Sequence, residues 1–187
     1  MSSQDTSISV TVAESMGDLI HQEKGTFDLA GNVSFSMRTA TQADLARIQE
    51  CAEAAYTLYI DRIGRRPAPM DADFRSQIED GLVEIVQVNG EWAGYCVSEL
   101  LLDDEARTLF VENTALRPSF QGKGLARLMF ETLEQKAGAA DADTITLYTN
   151  AAMHENLALY PKLGFKITDR RREDGFDRVY FAKALGS

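Results

Sequence analysis

Residues 116–129 read LRPSFQGKGLARLM. The whole chain of 187 residues holds 19 Lys+Arg against 29 Asp+Glu, a formal charge of −10, yet this stretch carries Arg117, Lys123 and Arg127 and no acid. Gly122 and Gly124 allow the backbone to come close to a ligand, and Leu125, Leu128, Met129 and Leu133 then recur on one helical face. A glycine turn opening a helix presents N–H groups that have no intrahelical partner, at the positive end of the helix dipole. That is a place for an anion, and phosphate is the natural one. An isolated GxG more often only makes a tight connection, so the neighbouring residues must decide.

Two familiar phosphate grips fail residue by residue. A dinucleotide fingerprint needs a third glycine where Arg127 stands and an acid at the end of the next strand, which here ends Thr149-Asn150. A Walker A loop needs Ser or Thr after Gly-Lys, and Lys123 is followed by Gly124.

Working outward, VEIVQV (83–88), WAGYCVSELL (92–101) and TLFVENTAL (108–116) read as strands joined by the turn signals NGE and DDEA, an antiparallel meander. After the helix comes TITLYT (144–149), so TLFVENTAL and TITLYT are expected to be parallel neighbours joined by a right-handed crossover. Upstream, FSMRT runs into a helix with Thr41 as N-cap and Leu45, Ile48, Ala52, Ala55 and Tyr59 in period; DADFRSQIEDG is a short second helix. Downstream, a helix over 155–163 precedes GFKIT and FDRVYFAKAL, with the cluster RRREDG (170–175) as a charged hairpin tip. The expected organisation is an extension over 1–33, whose conformation the pattern does not fix, and one α+β domain over 34–187.

Composition bounds the partners. With 44% hydrophobic and 26% charged residues, the chain suits one globular unit. No apolar run reaches the ~18 residues of a membrane span and the N-terminal residues lack a basic then apolar leader, so no membrane and a cytoplasmic setting are expected. Cys51 and Cys96 form no CxxC pair or disulfide framework, and no metal motif is present. The negative charge argues against nucleic acid, whose binding needs clustered cations.

The pattern Q-x-x-G-x-A, from Gln121 to Ala126, preceded by TALRP and followed by a helix, resembles the acetyl-CoA signature of the GNAT superfamily of acyl-CoA-dependent N-acyltransferases. A second stretch, ENLALYPKLGF (155–165), sits where that family carries its second signature, and the order of elements over 34–185 is similar throughout. The resemblance implies a GNAT-like fold: a mixed, mostly antiparallel sheet with helices on both faces and a V-shaped splay between its fourth and fifth strands, TLFVENTAL and TITLYT.

It implies acetyl-CoA as acyl donor, with the N–H groups of Gly122, Lys123, Gly124, Leu125, Ala126 and Arg127 around the pyrophosphate and the main chain of Ala115 and Leu116 along the pantetheine arm. Gln121 lines the loop, and Lys123 and Arg127 are candidate phosphate donors, the plainer reading being solvated cations near a helix start. Met153, Asn156 and Tyr160 share a helix face that in the family looks toward the thioester. Many members carry Asn where this chain has Met153, and here the Asn is Asn156.

By the same resemblance Tyr160 is the acid for the departing thiolate, against the plainer reading of a packed core tyrosine. Glu112 is the candidate base, and simple alternation places Glu112 and Thr114 on one face with Asn113 on the other, an assignment that a one-residue bulge would reverse. Cys96 has no His/Asp partner pattern for an acyl-cysteine route. The expected acceptor is a primary amine of a small molecule, hinted at by the acidic charge and by the aromatic, acid-bearing segment 56–73. The alternatives are a protein N-terminus or lysine, or a non-catalytic acyl-CoA-binding module. A homodimer accords with the resemblance, but no residue pattern demands one.

Overall fold

The computed structural model describes residues 8–11, 33–103 and 106–186. Among these residues eight strands form one sheet: β1 (Ile8–Thr11), β2 (Ser34–Thr39), β3 (Val83–Val88), β4 (Glu91–Leu102), β5 (Arg107–Leu116), β6 (Thr144–Asn150), β7 (Lys166–Glu173) and β8 (Phe176–Ala184). The order across it is β1-β2-β3-β4-β5-β6-β8-β7, and of these neighbours only β5 and β6 run parallel. Because β1 lies in the N-terminal extension, the fourth and fifth strands expected for the domain are β5 and β6 here. Most of the extension lies outside the described residues.

Five helices among the described residues cover the two faces: α1 (Leu45–Tyr56), α2 (Ile60–Ile63), α3 (Phe74–Glu79), α4 (Leu125–Ala139) and α5 (His154–Lys162). α4 buries Leu125, Met129, Leu133 and Ala137 in one apolar cluster, against Phe35, Val86, Leu109, Val111, Ile145, Leu147 and Phe181 of the sheet. α1 and α3 bury Ile48, Ala52, Tyr56, Phe74 and Ile78 in the second, against Ile85, Tyr95, Val97 and Ala115. β3, β4 and β5 thus send residues to both cores, as the alternation of a strand's side chains allows.

The N-terminus of the α1 segment is tied down by charge. Asp44 accepts from the Thr41 N–H at 2.9 Å and from Arg38 Nη2 at 2.8 Å, and the guanidinium beside it holds its carboxyl down at about 2. At the sheet's far edge, Arg170, Arg171 and Arg172 lie within β7, and the turn proper is Asp174-Gly175. This corrects the expected hairpin tip: an edge strand exposed along its length accommodates charged side chains, so charge alone did not mark the turn.

Two backbone features shape the middle of the sheet. Between Val97 and Ser98 the β4/β5 register slips: Val97 faces Asn113 while Ser98 faces Val111, which leaves Glu112 as the extra residue of a bulge. Three residues on, a Cβ on Gly94 would lie 2.2 Å from the Ala115 carbonyl oxygen, so only glycine permits β4 and β5 to approach there.

Candidate functional site

Pairing between β5 and β6 runs from Thr108/Thr144 to Val111/Leu147 and stops. Beyond it both strands continue, β5 to Leu116 and β6 to Asn150, with no pairing between them. The sheet is open at its centre, beginning at the bulge. A cleft with an enclosed volume of about 60 Å³ occupies the opening. Val111, Leu147, Thr149, Asn156 and Tyr160 line it on the side of α4 and α5, and Glu112, Asn113, Tyr148, Phe176 and Arg178 on the side of α1 and α3.

The bulge overturns simple alternation. Asn113 Oδ1 lies 2.9 Å from the Tyr56 hydroxyl and 3.2 Å from that of Tyr95, both in the α1/α3 core, while Thr114 is paired with Cys96, which packs in the opposite core. Glu112 is held from the α3 side, where Gln77 Nε2 donates to both carboxylate oxygens at 3.1 Å. Glu112 and Asn113 therefore share a face and Thr114 takes the other. The Asn113 Nδ2 is buried without a partner among the described residues, as is the Gln77 Oε1.

The main chain of β5 turns by alternation too. Arg117 N–H reaches the Ala93 carbonyl and Ala115 is in register with Tyr95, so the polar groups of Ala115 point at β4. Those of Thr114 and Leu116 face the opening. The Tyr56 hydroxyl donates to the Thr114 carbonyl at 2.8 Å and Gln121 Nε2 to that of Leu116 at 2.8 Å, which leaves the two N–H groups to face the opening. The main-chain groups left facing the opening are thus those of Thr114 and Leu116, while those of Ala115 are directed at β4.

At the start of α4, Gly122 and Gly124 have φ of 72° and 75°, a backbone that favours glycine, and a Cβ on either would meet nothing within 4 Å. The N–H groups of Gly122, Gly124, Leu125 and Ala126 have no acceptor among the described residues, whereas that of Arg127 reaches the Gly124 carbonyl at 3.0 Å. Lys123 Nζ lies 5.7 Å from the Phe120 ring centre, and Arg127 Nε pairs with Glu131 at 2.7 Å. A loop of unengaged amides at a helix N-terminus, beside a strand edge with unengaged N–H groups, fits a diphosphate followed by an amide-bearing arm.

Tyr160 is 7% exposed, its ring set among Phe181, Phe130 and Phe165 at 5.2, 5.8 and 6.0 Å between centres. Its hydroxyl makes no hydrogen bond among the described residues, and burial pushes its pKa well up, so it keeps its proton at neutral pH. Burial likewise raises the carboxyl of Glu112, with the Gln77 amide pulling the other way. Asn156 Nδ2 donates to Thr149 Oγ1 at 3.1 Å, and Met153 Sδ takes contacts from both residues. Cys96 is fully buried with its thiol pushed up by desolvation, and Cys51 is pushed up to about 12, so both keep their protons at neutral pH. No group of three or more His, Cys, Asp or Glu among the described residues is arranged to hold a metal ion.

Gln77, Asn113 and Tyr56 are not marked by any sequence pattern, because their roles depend on the bulge and on contacts across 35 to 58 residues of chain.

Residues 46–165 match the model of the Acetyltransferase (GNAT) family. The ribosomal protein bS18-alanine N-acetyltransferase of Escherichia coli K12 is 33% identical over 84 residues, 45% of this chain and 54% of that protein. In structure, the ribosomal-protein-S18-alanine N-acetyltransferase from Escherichia coli superposes with a TM-score of 0.64 at 23% identity, covering 82% of this chain and 95% of that one. A GNAT-family acetyltransferase from Streptococcus agalactiae gives 0.68 at 19% identity, over 82% and 96%.

Proposed function

As the chain belongs to the GNAT acetyltransferase family, with acetyl-CoA as acyl donor, we propose that it transfers the acetyl group directly to a primary amine in a ternary complex. The carrying observation is the break in pairing after Val111 and Leu147, which opens the sheet to both faces. It supports a donor held from the α4/α5 side and an amine arriving from the α1/α3 side, meeting where the strands part. The amides of Gly122, Gly124, Leu125 and Ala126 would hold the pyrophosphate, and the Leu116 N–H the pantetheine arm. Bound there, acetyl-CoA supplies an activated thioester with a thiolate leaving group.

An ammonium near pKa ~10 cannot attack, so the site must take a proton from it. Glu112 is the base in this reading: its carboxylate faces the acceptor side, oriented by Gln77 and partly desolvated. Thr114 N–H points at the opening, where it would stabilise charge developing on the acyl oxygen. Tyr160, neutral and lining the cleft, holds on its hydroxyl the proton the sulfur needs. The acceptor in this reading is a small amine. Similarity to an alanine N-acetyltransferase favours a second reading, the α-amino group of a polypeptide.

A melting screen with acetyl-CoA, NAD and ATP, followed by thiol release with an amine panel, tests the proposal. Ligand at ~100 times its dissociation constant adds about 2.7 kcal/mol, roughly 5 to 10 °C here, and acetyl-CoA alone should give it. A shift with NAD or ATP and none with acetyl-CoA defeats the proposal. Binding of acetyl-CoA without amine-dependent thiol release supports the non-catalytic module instead.

A further inference from the structure

We infer that the acceptor end of the cleft selects a primary amine on an uncharged, apolar stem and has no seat for a carboxylate beside the amine. The inference rests on the acetyltransferase reading and deepens it. Ile63, Pro67, Ala68, Pro69, Tyr148 and Phe176 all line the cleft, so the stem meets hydrocarbon and aromatic faces. Glu112 supplies one carboxylate, and its polar neighbour Gln77 is neutral. A cationic amine is thus drawn in and an anionic group repelled.

Among the described residues Arg178 is the one cation lining the cleft, and it is already committed. Its Nη1 bonds the Glu173 carboxylate, its Nη2 the Asp174 carboxylate at 3.1 Å, and its guanidinium lies 4.5 Å over the Tyr148 ring. Its side chain is 13% exposed. The cations around the mouth are committed too: Arg62 to Glu155 at 2.8 Å, Arg66 to Glu53 and Asp71, and Arg65 stacked 4.1 Å over Phe176 with its Nη1 on the Asp174 carbonyl. A carboxylate entering with the amine would shed water beside three arginines already held by carboxylates and a fourth, Arg65, held flat on the Phe176 ring.

The test pairs acceptors that differ only in the carboxylate, phenethylamine against phenylalanine and alaninamide against alanine, with acetyl-CoA and thiol detection. The uncharged partner should have kcat/KM about 10- to 100-fold higher, the usual scale for an unpaired charge at a specific site. The double variant Glu173→Gln/Asp174→Asn uncovers the Arg178 guanidinium and should narrow that gap at least about tenfold. The gap is a ratio within one protein sample, so partial misfolding leaves it unchanged. Equal use of the two partners by the wild type overturns the inference while leaving acetyl transfer standing, and so does an unchanged gap in the variant. If no amine releases thiol although calorimetry shows acetyl-CoA bound, acetyl transfer and the inference fall together.

Discussion

Replacing Tyr160 by Phe separates packing from chemistry at one residue. The ring is held by three phenylalanines at 5.2 to 6.0 Å, and all of those contacts survive in the variant. The hydroxyl bonds no described residue, so its loss should cost less than about 0.5 kcal/mol of stability, within roughly 2 °C of melting temperature. As general acid, the same hydroxyl is worth about 10²- to 10⁴-fold in rate, or about 2.7 to 5.5 kcal/mol on the barrier. The proton is needed only as the sulfur departs, so the loss falls on the chemical step while acetyl-CoA affinity holds. Single-turnover thiol release isolates that step from product release, and circular dichroism reads the melt. A single-turnover rate within about threefold of wild type would refute the assignment. A melt lowered by many degrees would make the hydroxyl structural instead.

Gln77→Leu removes a donor that lowers the pKa of Glu112, so the acid limb of the kcat/KM profile, which rises as Glu112 deprotonates, should move to higher pH. Glu112→Gln should lose that limb, and a limb that stays put in both variants removes Glu112 from the reaction. Gly124→Ala forces a side chain into a φ of 75° with open space around it, costing about 1–2 kcal/mol in backbone strain; the loop should relax and acetyl-CoA bind about tenfold more weakly by calorimetry, equal affinity counting against the amide loop. Asp44 titrates near 2 in the folded protein against an ordinary 3.8, so its ion pair stabilises fully above about pH 4 and is lost as pH falls toward 2. By urea unfolding, Asp44→Asn should cost about 1–2 kcal/mol at pH 7, a gap that narrows by pH 3.

The fold was legible because its signals are local. Gly122 and Gly124 mark their turn by their own backbone, and the periods in α4 and in β3 to β6 involve neighbours a few residues apart. The residues proposed for the donor half lie in one short run of the chain and so could be named in order along it. The acceptor half could not, because it is made by a bulge that depends on how β5 pairs with β4, and by partners such as Gln77, Arg65 and Arg178 that meet only in the fold. Alternation is a sound rule until one residue is inserted, and then every assignment beyond it changes face. Charge behaves alike: the composition says acidic, but what an incoming group feels depends on which cations are already covered. Three of the arginines around this cleft have carboxylate partners and the fourth stacks on a ring, so selectivity here is set by pairing rather than by net charge.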